Sequence, residues 1–174
     1  WITSRGLGDV YKRQGVALSA QRLGCRAVIV MPSTTPEVKV RAVRALGGDV
    51  VLHGETYDEC SAEAHRRCKA DGLTFIHPFD DPEVIAGQGT IGMEIMRQAE
   101  QPPNAIYVAV GGGGLIAGIA AYVKRLWPET EVIGVEPVDA DALSRSLEQG
   151  QRVELEKEKV GLFADGVAVS CLLY

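Results

Sequence analysis

A run of four glycines is the strongest chemical signal in this sequence of 174 residues. The run follows a predicted strand, precedes a predicted helix and consists of Gly111, Gly112, Gly113 and Gly114, with Leu115 next. Glycine lets successive backbone amides turn toward one point, beside the positive end of the helix dipole. Four glycines cost more unfolded-state entropy than a tight turn requires. We therefore predict that residues 111–115, the glycine loop, bind a phosphate group.

The residues alone leave the phosphate compound open. No Lys-Ser/Thr pair follows the glycines, so the pattern of a nucleoside-triphosphate loop fails. The dinucleotide pattern G-x-G-x-x-A matches at Gly112, Gly114 and Ala117. Glu136 ends the next predicted strand, where an acid that binds the ribose would lie. Because this fingerprint normally follows the first strand of its domain, and three strands precede it here, a dinucleotide is the second choice.

The other candidate groups do not form a site by their spacing. No two histidines stand at a metal-ligand spacing, so we predict no metal site and structural roles for His53, His65 and His77. Asp80 and Asp81 could act as a carboxylate pair. However, Asp81 stands directly before Pro82, which is typical of a helix N-cap.

Four cysteines are scattered without a Cys-x-x-Cys pair, at Cys25, Cys60, Cys68 and Cys171. On the helix predicted for residues 57–68, the Cα atoms of Cys60 and Cys68 would be about 12 Å apart. That distance is too long for a disulfide. Free thiols are typical of a reducing compartment, so we predict a cytoplasmic protein.

Short apolar runs alternate with helical patterns from residue 15 to about residue 149. We predict strands over residues 27–31, 50–52, 73–76, 105–110 and 132–135, and helices over residues 15–23, 36–46, 57–68, 81–97, 115–127 and 141–148. Thr35 before Pro36 has the same pattern as Asp81 before Pro82, and both are predicted N-caps. The alternation predicts an α/β fold with parallel sheets covered by helices.

Composition excludes several classes of protein. Apolar residues make up 46% and charged residues 24%, as in ordinary globular domains. The net charge is −5 and no basic block is present, which argues against a nucleic-acid partner. No apolar run approaches the roughly 20 residues that cross a bilayer, so no membrane partner is expected.

Several motifs between residues 15 and 169 occur together in one enzyme family. They include Met31-Pro32, Pro78-Phe79-Asp80-Asp81-Pro82, Ile85-Ala86-Gly87-Gln88-Gly89-Thr90, the glycine loop, Val135-Glu136-Pro137, and the stretch 160–169. With these motifs, the sequence resembles the biosynthetic threonine dehydratase (threonine ammonia-lyase) family. These are pyridoxal-phosphate enzymes of the tryptophan-synthase-β type. The glycine loop is shared across that superfamily, whereas residues 85–90 and 161–169 point more narrowly to threonine dehydratase.

The resemblance implies a cofactor, a reaction and a domain plan. The glycine loop would hold the phosphate of pyridoxal 5'-phosphate, with Gly166 near the cofactor ring. The parent enzyme would convert L-threonine, or L-serine, to an oxo acid and ammonia; from threonine the product is 2-oxobutanoate, for isoleucine biosynthesis. Residues 15–80 would form a smaller α/β lobe and residues 81–169 part of a larger cofactor lobe, in the partial architecture of a fold-type II enzyme. The parent would be a homo-oligomer.

The resemblance also shows where the sequence departs from the family. The Schiff-base lysine and the Ser-x-Gly-Asn-His-Ala loop of the family have no match before Gly15. Residues 1–14 and 170–174 resemble translated adapter sequence, so we exclude them from the predicted fold. We therefore expect a fragment with no catalytic residue of its own and no activity as written.

Three alternatives remain open at this point. The first is a fragment similar to serine dehydratase or serine racemase, some of which carry a divalent cation on a Glu and on an Asp six positions later. Here Glu136 is present but position 142 is Ala, so we predict no metal. The second is a non-catalytic dinucleotide-binding module that uses Gly112, Gly114, Ala117 and Glu136. The third is a truncated reading frame without a stable product.

Overall fold

The structure is a computed structural model that describes residues 2–3, 10–55, 57–156, 160–161, 167, 170 and 172–173. The chain divides into two compact units, Trp1–Pro78 and Phe79–Tyr174. Its strands are β1 (Ile2–Thr3), β2 (Val28–Met31), β3 (Asp49–Leu52), β4 (Phe75–Ile76), β5 (Ala105–Ala109) and β6 (Glu131–Val135). Its helices are α1 (Val10–Leu23), α2 (Glu37–Ala45), α3 (Tyr57–Asp71), α4 (Pro82–Gln98), α5 (Gly114–Leu126) and α6 (Ala142–Gln149). The predicted α/β alternation is confirmed.

The first unit is built on a four-stranded parallel sheet in the order β3-β2-β1-β4. Successive side chains of β2 point to opposite faces, and both faces are covered. Ile29 and Met31 pack with residues of α1 and α2, while Val28 and Val30 pack against α3. This explains why β2 is apolar throughout, as expected for a central parallel strand.

The N-terminal residues take part in this fold. Ile2–Thr3 lies between β2 and β4 and pairs with both strands. Helix α1 begins at Val10, so its predicted start at Gly15 is wrong. Sequence resemblance had set these residues aside, yet a strand position depends on backbone hydrogen bonds that any residue except proline can make.

The second unit contains a two-stranded parallel sheet, in which β5 pairs with β6 from Ala105↔Glu131 to Ala109↔Val135. Helix α5 covers one face of this sheet, where Val108 packs with Ile119 and Val123. Helices α4 and α5 approach closely because glycines stand at their contact. A Cβ on Gly118 would lie 2.7 Å from the Gly89 amide nitrogen, a distance that no side chain tolerates.

The two predicted N-caps have different outcomes. Asp81 is confirmed as the N-cap of α4, since its carboxylate accepts from the amides of Glu83 at 2.8 Å and Val84 at 3.5 Å. The prediction for Thr35 is wrong, because Pro36 is the N-cap of α2 and no side chain caps that helix. Thr35 belongs instead to the preceding turn, in which its amide donates to the carbonyl of Pro32 at 3.0 Å.

None of the helices in the described ranges combines the length and the apolar character needed to cross a membrane.

Candidate functional site

The glycine loop joins the carboxyl end of β5 to the amino end of α5, as predicted. Before the loop, the amide of Val110 donates to the carbonyl of Val135 at 2.9 Å and so extends the β5–β6 pairing by one residue. After it, the amide of Ala117 donates to the carbonyl of Gly113 at 3.0 Å and closes the first turn of α5. Gly113 is the N-cap, with a φ of 90° in the left-handed region that favours glycine.

The amides between these two bonds are the candidate donors to a ligand. In the described part of the chain, the backbone N–H groups of residues 111–116 donate no hydrogen bond. The first amides of any helix lack partners within the helix, and here the loop adds further donors to them. Together with the positive end of the α5 dipole, they suit an anion such as a phosphate.

Phe79 explains part of the glycine content by packing. A Cβ on Gly112 would overlap the Phe79 ring, and a Cβ on Gly114 would lie 2.6 Å from the Phe79 carbonyl oxygen. The Phe79 side chain is buried, so it cannot easily give way. Two of the four glycines are thus required by close packing. Anion binding is supported by the amides that lack a partner among the described residues, rather than by the number of glycines. The sequence motif included Phe79 but did not indicate this role.

The end of the chain also borders the glycine loop. The amide of Leu173 donates to the carbonyl of Gly112 at 2.8 Å, and a Cβ on Gly113 would lie 3.0 Å from the Leu173 side chain. Leu172 is buried in a cluster with Val110. Residues 170–174 were excluded from the predicted fold, so these contacts were not predicted from the sequence.

Glu136 binds a helix terminus. Its two carboxylate oxygens accept one amide each, from Leu143 and from Ser144, both at 2.9 Å and both in the first turn of α6. A ribose hydroxyl would have to compete with these bonds, which weakens the dinucleotide alternative. Asp141, at the N-cap of α6, makes no cap hydrogen bond and pairs instead with Arg145 at 2.8 Å.

The remaining candidate residues do not lie at the glycine loop or fall outside the described residues. Gly166 is outside the described residues, so its predicted place near a cofactor ring stays a prediction. The Nδ1–H group of His65 donates to the carbonyl of Ser61 at 2.8 Å, and the His65 ring stacks on Phe75 in the first unit. Among the residues that the structure describes, no three His, Cys, Asp or Glu side chains are grouped as metal ligands. Cys25, Cys60 and Cys68 form no disulfide among the residues that the structure describes.

Lys124, a lysine of the second unit, is hydrogen-bonded to backbone carbonyls. The ammonium of Lys124 donates to the carbonyls of Pro128 at 2.6 Å and Thr130 at 3.0 Å. These bonds satisfy backbone groups beyond the C-terminal end of α5, at the opposite end of the helix from the glycine loop. Lys124 is therefore not a group that could reach a ligand held by the loop.

Comparisons with known proteins identify relatives of the chain. The profile of the family described as "Pyridoxal-phosphate dependent enzyme" matches residues 14–172. The chain is 65% identical over 156 residues to the biosynthetic, chloroplastic threonine dehydratase of Arabidopsis thaliana, covering 90% of this chain and 26% of that protein. It is 59% identical over 159 residues to the biosynthetic L-threonine dehydratase of Burkholderia multivorans, covering 90% of this chain and 31% of that protein.

A solved structure agrees with these relatives. The processed form of threonine deaminase isoform 2 from Solanum lycopersicum superimposes with a TM-score of 0.89 and 52% identity, covering 99% of this chain and 49% of that one. The chain thus spans about a quarter to a third of the length of the curated relatives and half of the solved one.

Proposed function

We propose that this chain, which belongs to the family of pyridoxal-phosphate dependent enzymes, is part of a biosynthetic threonine dehydratase and holds the cofactor phosphate in its glycine loop. One observation carries the proposal for the site: the amides of residues 111–116 face no hydrogen-bond partner in the described chain. A backbone N–H group that is removed from water without a hydrogen-bond partner costs free energy, and a phosphate would accept from several of these groups at once.

The residues present fit that group. Gly111, Gly112, Gly113, Gly114 and Leu115 would hold the phosphate through their amides, beside the positive end of α5. The Phe79 ring packs against the loop, so any side chain on Gly112 would overlap this ring. Once bound, pyridoxal phosphate supplies an electron sink for the loss of an α-proton from an amino acid. We place Gly166 near the cofactor ring from the family motif alone.

For the whole protein we propose the deamination of L-threonine to 2-oxobutanoate and ammonia. We propose L-threonine rather than L-serine as the preferred substrate. Relatives with 59–65% identity carry the name threonine dehydratase. The lysine that the reaction requires has no match in the family motifs of this sequence, so we expect the 174-residue chain alone to be inactive. We further propose a cytoplasmic homo-oligomer. That Cys25, Cys60 and Cys68 form no disulfide among the described residues supports the reducing compartment and does not bear on the oligomer.

A ligand comparison tests the proposed site. The purified chain is titrated with pyridoxal phosphate, with pyridoxal, which lacks the phosphate, and with NAD, and binding is followed by isothermal titration calorimetry. We expect saturable binding of pyridoxal phosphate that inorganic phosphate competes away, and weaker binding of pyridoxal. Tighter binding of NAD would favour the dinucleotide module, and equal binding of pyridoxal would show that the loop does not hold the phosphate.

A chimera tests the proposed reaction. Residues 15–169 replace the matching segment of the Burkholderia multivorans enzyme, and formation of 2-oxobutanoate from L-threonine and of pyruvate from L-serine is measured. We expect threonine to be the better substrate. A folded chimera that retains pyridoxal phosphate but prefers serine would overturn the choice of substrate.

A further inference from the structure

The carboxylate of Glu136 connects the end of β6 to the start of α6. Its two oxygens each accept a backbone amide of α6, from Leu143 and Ser144 at 2.9 Å. Hydrogen bonds to a charged acceptor are stronger than neutral ones, and a carboxylate at a helix N-terminus also interacts favourably with the helix dipole. The position of the first turn of α6 therefore depends on this one side chain.

Helix α6 in turn packs on both ends of the glycine loop. Gly134 in β6 has no side chain, and three neighbouring side chains fill the space that one would occupy. The side chains of Val110, Ile116 and Leu143 all come within 3.4 Å of where the Gly134 Cβ would be. Val110 directly precedes the loop, and Ile116 lies in the first turn of α5. Both belong to the same cluster as Ala142 and Leu143 of α6. Since side chains in such a cluster are closely packed, displacing α6 would release both neighbours of the loop.

We infer that Glu136 is a positioning residue for the phosphate site: by capping α6 it holds Val110 and Ile116, and through them the shape of the glycine loop. The inference rests on the proposed function only for the identity of the ligand. It assigns Glu136 neither to a metal ion nor to a ribose, because both carboxylate oxygens already accept helix amides.

The chain offers a matched control for this inference. Glu136→Gln removes one negative charge and turns one of the two acceptors into a donor that faces an amide. Asp141→Asn removes the same charge at the same helix terminus, but its side chain makes no cap hydrogen bond. Any general effect of the lost charge is therefore shared by the two variants. They differ in the capping bonds, which only Glu136→Gln loses, and in the ion pair with Arg145, which only Asp141→Asn loses.

Amide hydrogen exchange on the ligand-free chain is the test. Two protected amides flank the loop: Val110, which donates to Val135, and Ala117, which donates to Gly113. We expect Glu136→Gln to speed exchange at both by about tenfold, the usual order for a lost charged hydrogen bond, and Asp141→Asn to change it less than twofold. Amides of α4, in the same unit, and of β2, in the first unit, should exchange as before.

Three outcomes would overturn the inference. Exchange at Val110 and Ala117 could stay unchanged in Glu136→Gln, or Asp141→Asn could have the same effect. Exchange could also rise equally throughout α4 and α5, which would show a general loss of stability rather than an effect on the loop. Titration with pyridoxal phosphate separates the two proposals: if the native chain does not bind it but the local exchange effect appears, the proposed function fails and the role of Glu136 stands.

Discussion

Strand β2 of the first unit and strand β5 of the second have similar apolar sequences but different surroundings. All four residues of β2 are at most 1% exposed, because helices cover both faces of their sheet. In β5 only Val108 is buried, and Tyr107, on the opposite face, is 71% exposed. In the partner strand β6, Val135, which is paired with Ala109, is 50% exposed. An apolar run thus identifies a strand without showing how many of its faces are covered.

The two units also reach close packing by different means. In the first unit, side chains of helices and strands fill the space between them, as Val40 and Val43 of α2 do against Ile29. In the second unit, the backbones of α4 and α5 approach directly at Gly89 and Gly118. The first arrangement is sensitive to the loss of atoms and the second to their addition.

The largest expected effect is the loss of a buried side chain from β2. Ile29→Ala should lower the free energy of unfolding of the first unit by about 3 kcal/mol, since the site is fully buried and cannot collapse easily. Tyr107→Ala in β5 should change the second unit by less than about 0.5 kcal/mol, because the side chain is mostly in water. Hydrogen exchange of peptides from β2 and β5 measures both. Equal effects would show that the outer face of β5 is covered in solution.

The next effect is the addition of a methyl group between α4 and α5. Gly118→Ala should destabilise the second unit by about 1–3 kcal/mol, because the new Cβ would meet backbone atoms of Ile85 and Gly89 that cannot rotate away.

The control for this variant lies in α4 itself. Gly87 has nothing within 4 Å of its Cβ position, so Gly87→Ala should stabilise the helix by up to about 1 kcal/mol. Thermal unfolding of the two variants should shift in opposite directions. A loss of stability in Gly87→Ala would contradict the assigned contact face of α4.

A smaller effect separates the two helix starts that share a pattern. Asp81→Ala should cost about 1 kcal/mol, because the carboxylate accepts two amides of α4. Thr35→Ala should cost less than about 0.5 kcal/mol, because the Thr35 side chain caps no helix. Urea unfolding of the two variants measures the difference. An equal cost would place Thr35 back at an N-cap in solution.

The smallest effect is an acid dependence confined to the first unit. Hydrogen bonds from Arg66, opposed by burial and assisted by Arg67, lower the pKa of Glu63 from 4.5 to about 2. Because its pKa is lower in the folded state, the charged Glu63 stabilises the fold at pH values above its unfolded-state pKa of 4.5. This stabilisation is lost as the pH falls toward 2. The contribution should stay below about 1 kcal/mol, because both guanidinium groups lie partly in water.

Glu63→Gln tests this acid dependence. The variant should flatten the stability of the first unit between pH 4.5 and pH 2 and leave exchange in β5 unchanged. An unchanged acid profile would mean that the two arginine pairs do not persist in solution.

Much of the fold could be predicted from local pattern. Among the described residues after residue 15, the alternation of apolar runs and helical periods located every helix and strand, and α4 has the predicted length of 17 residues. Local pattern failed where one residue type suits two kinds of position. Thr35 before Pro36 looks like Asp81 before Pro82, but Thr35 lies in a hydrogen-bonded turn and does not cap a helix. It also failed at the ends, where unfamiliar residues hid the strand Ile2–Thr3 and the contacts of Leu173 with the glycine loop.

The sequence by itself determined the position of the glycine loop, because a run of four glycines between a strand and a helix is a local feature. It did not determine why each glycine is there. Only the tertiary structure brings Phe79 under Gly112 and Gly114, and carries Glu136 to the amides of α6. Those contacts join residues that are 7 to 35 positions apart, and such pairs are chosen by how helices and strands pack, not by the residues beside them.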